Sequence, residues 1–336
     1  MILISFILPV FNQECYLSDC LDSIFSIDLP PSSYEVICVD DCSTDKSIEL
    51  IQQYQGLHEN LILIKHAVNK KAGGARNTGI QAACGKYIWF VDPDDLIVST
   101  VSHAIYFCNK NNLDVLCFNY TILKGESELV DLCFEANSPI LLGTDFLEKV
   151  WGRTLIYNLG NPIRSFFRRE ILQKHNILFE EHVPYGEETT FMAYVISCSE
   201  RVSSITDALY RYRQTDSQIS SQLRQGRGDV IYFSTIRAGE SILRWREDVF
   251  NISQTIVSYI DEGMPWFLNR LLIRLLRTTH KQRIVFYEMI RKHHPQEQLI
   301  QYMNPINRLV VCHRHWGIIM LDFAAQLYRL TKRVKR

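Results

Sequence analysis

Apolar runs alternate with helix-periodic segments through the first 120 residues, and this alternation limits the fold more than any other property of the chain. Ile2 to Val10 is almost wholly apolar. It is followed by Leu17, Cys20, Leu21, Ile24 and Phe25, spaced by threes and fours as on one helix face, with Asn12 as the candidate N-cap. Pro30 and Pro31 break the chain before a second run, 34–41, which ends in Asp40 and Asp41. Ser43, Thr44 and Asp45 then supply cap-type residues for a helix through Ile48, Leu50, Ile51 and Tyr54. The unit recurs as a strand over Leu61 to Lys65 with a helix from Gly73 to Ala83. It recurs again as a strand from Lys86 to Asp92 with a helix near Thr100 to Asn111, and a further strand covers Asp114 to Tyr120. Strands that are apolar throughout are buried on both faces, so the pattern predicts an α/β fold, a mostly parallel sheet with helices on both faces.

Candidate chemistry collects at the end of the fourth strand. Tyr87 to Val91 is unbroken in its apolar and aromatic character, and Asp92, Pro93, Asp94 and Asp95 follow at once. Proline stiffens the turn, so three hard oxygen donors stand at the carboxyl end of a central strand, where open α/β sheets bind ligands. An acidic turn that caps the next helix is the bland alternative. Gly74 and Gly79 have Walker-like spacing, but Ile80 and Gln81 stand where Lys and Ser or Thr are required. These glycines suit a tight helix entry, with Arg76 beside them as a possible anion contact. No nucleophile-elbow signature is present, and the ten histidines are scattered, with no carboxylates beside the His293–His294 pair.

Past Thr121 the pattern loosens into a hairpin around Gly125, a short helix near Asp145 to Trp151, and a loop that becomes a helix through VPYGEETTFMAYVIS. Beyond Gln214 the strand signals stop. A polar linker leads into basic amphipathic helices ending in KRVKR, so the expected division is a domain over 1–214 and a helical region over 215–336. That region reads either as ordinary helical packing with a solvated face or as a surface for anionic membrane. A net charge of −1 argues against nucleic acid as partner. Ten cysteines without a CxxC, mostly inside apolar runs, suit a reduced cytoplasmic protein. MILISFILPVF lacks a basic leader and is interrupted by Pro9, so it is expected to be the first strand and not a signal peptide. No apolar run reaches the length of a spanning helix.

The ordered series ILPVFN (7–12), VDDCSTD (39–45), NKKAGGARNTGI (69–80), FVDPDD (90–95) and GEETTF (186–191) resembles glycosyltransferase family 2 over roughly residues 1 to 215. That family comprises inverting enzymes with the Rossmann-like GT-A fold. The resemblance implies that Pro9 and Phe11 line the nucleoside pocket and that Asp41, with Asp40 beside it, contacts the base. Asp92 and Asp94 match the DxD pair that holds Mg²⁺ or Mn²⁺ on the donor diphosphate, with Asp95 adjacent. Arg76 falls near the donor, and Arg213 is a candidate phosphate contact. Glu188 stands where the family commonly carries an aspartate as general base; the Glu187–Glu188 pair is one methylene longer. The resemblance further implies a UDP-sugar, favoured over GDP- or dTDP-sugars, and hexosyl or N-acetylhexosaminyl transfer to a glycan or lipid-linked acceptor. Cell-surface polysaccharide synthesis at the inner face of the plasma membrane would follow.

The residues support the same chemistry in physical terms. Charge grows on a departing diphosphate, so a cation on carboxylates stabilises that transition state, and a second carboxylate must accept the acceptor's proton. Two competitors stay open. A sugar-nucleotide nucleotidyltransferase would need a Gly-rich, Arg- and Lys-bearing segment after the first strand, which is absent. A non-catalytic subunit of a glycan assembly complex would have no need of Asp92, Asp94 and Glu188 together.

Overall fold

The computed structural model describes residues 1–125, 127–152, 161–181, 187–214, 229–249, 252–275 and 301. The strands are β1 (Ile4–Val10), β2 (Tyr34–Asp40), β3 (Leu61–Lys65), β4 (Tyr87–Phe90), β5 (Leu96–Ile97), β6 (Val115–Lys124), β7 (Ser127–Asp131), β8 (Ser165–Arg168) and β9 (Val202–Arg213). The helices used below are α1 (Leu17–Phe25), α2 (Ser47–Gln55), α3 (Lys71–Ala82), α4 (Ser102–Lys110), α5 (Gly143–Phe146), α6 (Arg169–Lys174), α7 (Glu187–Ser197), α8 (Asp229–Val249) and α9 (Gln254–Leu275). Two compact units emerge among the described residues: the first holds those within Met1–Trp151, 161–181 and Phe191–Gln214, and the second holds Gly152, 187–190 and those after 214.

One sheet organises the first unit, with strands in the order β3, β2, β1, β4, β8, β6, β9, β5, and β7 pairing on β6. Strands β3, β2, β1 and β4 are all parallel, as their apolar character requires. Beyond β4 the sheet is mixed: β8 runs antiparallel to both β4 and β6, whereas β6 and β9 are parallel. The α/β expectation therefore holds, with a mixed second half.

Alternation along β1 shows why both faces are covered. Ile4, Phe6, Leu8 and Val10 point into a core shared with Leu17, Leu21 and Ile24 of α1, Ile51 of α2 and Ala104 and Ile105 of α4. Ile7 points the other way, against α3, so closely that a Cβ on Gly79 would lie 2.3 Å from its Cγ2. Trp89 of β4 anchors the first core against Phe6, Phe118 and Phe166, and its indole N–H donates to Ile163 O at 2.6 Å. Each such ring contributes on the order of 2–3 kcal/mol by burial. The hairpin expected around Gly125 joins β6 to β7, and Gly125 takes the left-handed φ of 59° that such a turn favours.

In the second unit the guanidinium of Arg246 on α8 holds Asp261 of α9 in two hydrogen bonds of 2.6 and 2.7 Å. Ile242, Trp245, Ile256 and Ile260 are buried in the same unit. The terminal KRVKR and nearly all of the polar linker lie outside the described residues. Among the described residues, no helix is long and apolar enough to cross a membrane, and the nine cysteines are all free thiols.

Candidate active site

The carboxyl ends of β1, β2 and β4 bring three loops to one edge of the sheet. β4 lies between β1 and β8, and Val91 N continues the parallel ladder by donating to Ile7 O at 3.0 Å. The chain then turns tightly, with Asp95 N donating to Asp92 O at 3.0 Å. This turn separates three acids that look alike in sequence. Asp92 and Asp94 remain half-buried, and Asp95 is fully enclosed.

Asp92 is oriented from α3. The Arg76 guanidinium, itself buried, donates to Asp92 Oδ1 at 2.9 Å and lies 5.3 Å from the centre of the Phe179 ring. The Asp92 side chain stays 28% exposed. Asp95 departs from the expected ligand role, because protein groups engage both of its oxygens. The Tyr210 hydroxyl donates to Oδ2 at 2.7 Å, and Arg213 N donates to Oδ1 at 2.7 Å. Burial pushes the Asp95 carboxyl well above its ordinary value, and the charges of Asp94 and Asp92 add to that shift. Burial likewise raises the Tyr210 phenol, reinforced by Asp95 and Asp92.

The β2 loop follows the same logic. Asp40 is buried and accepts from Ser43 N at 3.3 Å. Asp41 accepts from His66 Nδ1 at 2.8 Å, Lys70 N at 2.7 Å and Lys71 N at 2.8 Å, so its carboxylate holds the turn that leads into α3. That turn needs holding, since Lys71 has φ 66°, and next to Asp41 in the β2 loop Cys42 has φ 70°, both left-handed and unfavourable for side chains other than glycine. Asp41, expected on the nucleobase, is thus placed to shape the loop. His66 extends the grip through its Nε2, 2.8 Å from Thr78 Oγ1.

Asn12 is not the cap of α1. Its φ of 53° and its position ahead of Leu17 turn it instead to the β2 loop, where its Oδ1 accepts from Thr44 N at 2.8 Å and its own N–H donates to Ser43 Oγ at 3.0 Å. Gln13 N to Ser47 Oγ and Glu14 N to Asp45 Oδ2 complete a seam between the two loops. Beside this seam Pro9 is half-buried and Phe11 is 46% exposed.

Residues 5–174 match the family described as Glycosyl transferase family 2. The chain belongs to that family. It is 32% identical over 211 residues to the poly(ribitol-phosphate) beta-glucosyltransferase of Bacillus spizizenii, covering 62% of this chain and 32% of the relative. It is 30% identical over 220 residues to the uncharacterized glycosyltransferase EpsJ of Bacillus subtilis, covering 65% and 63% of the two chains. The chain thus spans 32% of the first of these curated relatives and 63% of the second. In fold it is similar to the crystal structure of Staphylococcus aureus TarS 1–349 in complex with UDP-GlcNAc, with a TM-score of 0.68 at 22% identity, covering 98% of this chain and 92% of that one.

Two further expected family 2 site elements lie on β9 and at the start of α7. Arg213, at the end of β9, lies with its guanidinium 5.0 Å from the centre of the Tyr16 ring and donates to Asp19 Oδ2 at 3.0 Å. Asp19 is 60% exposed, so this pair is weak and can be exchanged for a stronger anion. Glu187 and Glu188 open α7, Glu187 buried and Glu188 half-buried, and group with the second unit. Further along α7, Phe191 stacks on Phe179 at 3.9 Å.

The donor set tests the expected cation directly. Among the described residues, no three His, Cys, Asp or Glu groups form a closed metal cage. Mg²⁺ and Mn²⁺ on a diphosphate need none, since one or two carboxylates together with substrate phosphates suffice. Asp92 and Asp94 fit that mode, and Asp95 does not. Sequence reading missed Asn77, His66 and Tyr210. Asn77 adjoins Arg76 in the ARN triplet, which was a usable signal, whereas Tyr210 reaches the acid turn only through the sheet register.

Proposed function

We propose that the chain transfers a sugar from a UDP-linked donor to a hydroxyl of a cell-surface polymer, with inversion at the anomeric carbon. The observation that carries this is the pair of half-exposed carboxylates at the end of β4, one of them oriented by a buried arginine, in a family 2 chain. The choice of donor and polymer is supported by relatives named for poly(ribitol phosphate) glycosylation and by the UDP-GlcNAc in the TarS structure. In this reading 1–214 binds the donor and carries out catalysis, and 215–336 is a helical region that contacts a partner or an anionic membrane at the cytoplasmic face.

Asp92 and Asp94 would hold the cation, and Arg76 orients the Asp92 carboxylate. When bound, Mg²⁺ or Mn²⁺ supplies positive charge to the diphosphate as the bond to the anomeric carbon breaks. Pro9 and Phe11 flank the nucleoside, and Asp40 and Asp41 shape its loop. Arg213 exchanges Asp19 for phosphate. Glu188 takes the proton from the acceptor hydroxyl as its oxygen attacks in line, with Glu187 beside it.

Thermal stabilisation by a panel of nucleotide sugars with Mn²⁺, followed by donor hydrolysis, tests the donor class. Asp94→Asn is expected to remove the Mn²⁺-dependent share of nucleotide affinity while the chain stays folded. Glu188→Gln is expected to lower single-turnover transfer by about 10²-fold or more with donor binding nearly intact, and Glu187→Gln to cost less. If Glu187→Gln is inactive and Glu188→Gln turns over normally, the base is Glu187.

A further inference from the structure

We propose that Tyr210 and Asp95 form a positioning pair that sets the geometry of Asp92 and Asp94, so that the metal-binding turn is braced from β9. The inference rests on the donor-site reading above. The Tyr210 ring is wholly buried near Trp89, a place that Phe would fill as well by packing alone. What Phe lacks is the hydroxyl, which accepts from Asp92 N at 3.0 Å and donates to Asp95 Oδ2 at 2.7 Å. One oxygen therefore ties the first acid of the turn to the last. Arg213 N adds a bond of 2.7 Å to Asp95 Oδ1, so the brace comes from two points on one strand.

Register keeps the brace in place. Immediately after Asp95 the chain enters β5, which pairs antiparallel with β9, Leu96 opposite Arg211 and Ile97 opposite Tyr210, and Val98 N donates to Leu209 O at 3.0 Å. The turn is thus clamped between the β4 ladder on one side and β9 on the other. From α3, Arg76 then orients the Asp92 carboxylate. Asp95, fully buried with both oxygens engaged, acts through Tyr210 and the backbone and touches no ligand.

Calorimetric binding of UDP, with Mn²⁺ and with EDTA, distinguishes this role from ordinary packing. Tyr210→Phe is expected to weaken UDP binding in Mn²⁺ about tenfold, the value of one hydrogen bond of roughly 1.4 kcal/mol, and to leave any binding in EDTA unchanged. Asp95→Asn keeps the phenol and its packing and is expected to lose the same factor, and the double variant no more than either single one. Tyr120→Phe removes a comparable bond, to Asp131 at 2.6 Å on β7, and is expected to change nothing. Urea unfolding confirms that each variant is folded, and Asp95→Asn decides alone if Tyr210→Phe is not. Unchanged affinity in a folded Tyr210→Phe or Asp95→Asn, an equal loss in EDTA, additive losses, or an equal loss in Tyr120→Phe would each overturn the proposal. If the wild-type chain binds no UDP in either condition, the donor reading itself fails and takes the inference with it.

Discussion

Replacing Asn77 by leucine, nearly its equal in size, isolates the hydrogen bonds of one buried side chain. Asn77 lies inside α3, where its Nδ2 donates to Phe179 O at 2.9 Å and its Oδ1 accepts from Phe179 N at 2.8 Å. Leucine removes both bonds and leaves the Phe179 N–H and C=O facing an apolar group. Each of the two buried backbone groups so exposed costs about 1–3 kcal/mol and the added apolar burial returns about 1 kcal/mol, so the net loss spans about 1–5 kcal/mol, with roughly 2–4 kcal/mol as the expected centre. At about 2–4 °C per kcal/mol for a unit of this size, the melting temperature falls by roughly 5–15 °C. The effect reaches the site because Phe179 carries the ring over Arg76 at 5.3 Å and stacks on Phe191. Loosening Phe179 frees the guanidinium that orients Asp92, and UDP affinity in Mn²⁺ is expected to fall several-fold. Urea unfolding of the two chains side by side, with the slope compared as well as the midpoint, provides the measurement. A loss below about 1 kcal/mol at unchanged slope refutes the argument, since the Phe179 backbone would then have found water at no cost.

Asp28 accepts from Val101 N, Ser102 N and Ser102 Oγ and so caps α4 from a distant loop; Asp28→Ala is expected to cost about 1 kcal/mol at neutral pH by chemical denaturation. Slight burial raises its pKa, but the bonds from Ser102 and Val101 lower it more, so the net value is depressed. The wild-type advantage is therefore full above the ordinary carboxylate pKa of about 3.9 and disappears as pH falls through the lower folded value. Gly79→Ala places a Cβ 2.3 Å from Ile7 Cγ2 and is expected to destabilise by about 1–3 kcal/mol, read as a lower urea midpoint. The chain is expected to float with anionic vesicles at low salt and to be released as salt rises, because each basic residue near such a surface contributes about 1 kcal/mol. Flotation that is insensitive to salt would exclude the charge mechanism.

Local period explains what the sequence made legible. β1, β2 and β4 announce themselves because burial on both faces leaves their runs almost wholly apolar, the exceptions Ser5 and Glu35 being hydrogen-bonded to each other, and their ends place the acids at one edge of the sheet. β8, only four residues long, and β9, polar toward its end, carry no such signature, yet they set the mixed half of the sheet. Asn12 looked like a helix cap because caps and left-handed bridges favour the same residue type, and only φ separates them. The acids pose the same problem more sharply. Asp41, Asp92 and Asp95 are chemically identical, and their roles depend on how many oxygens the fold has already engaged. Asp41 is taken by the 66–71 turn and Asp95 by β9, through partners 25 to 118 residues away in sequence. Asp92 gives one oxygen to Arg76 and stays partly exposed. A carboxylate serves a ligand where the protein has left it an oxygen, and that remainder is fixed by strand register, which no local spacing encodes.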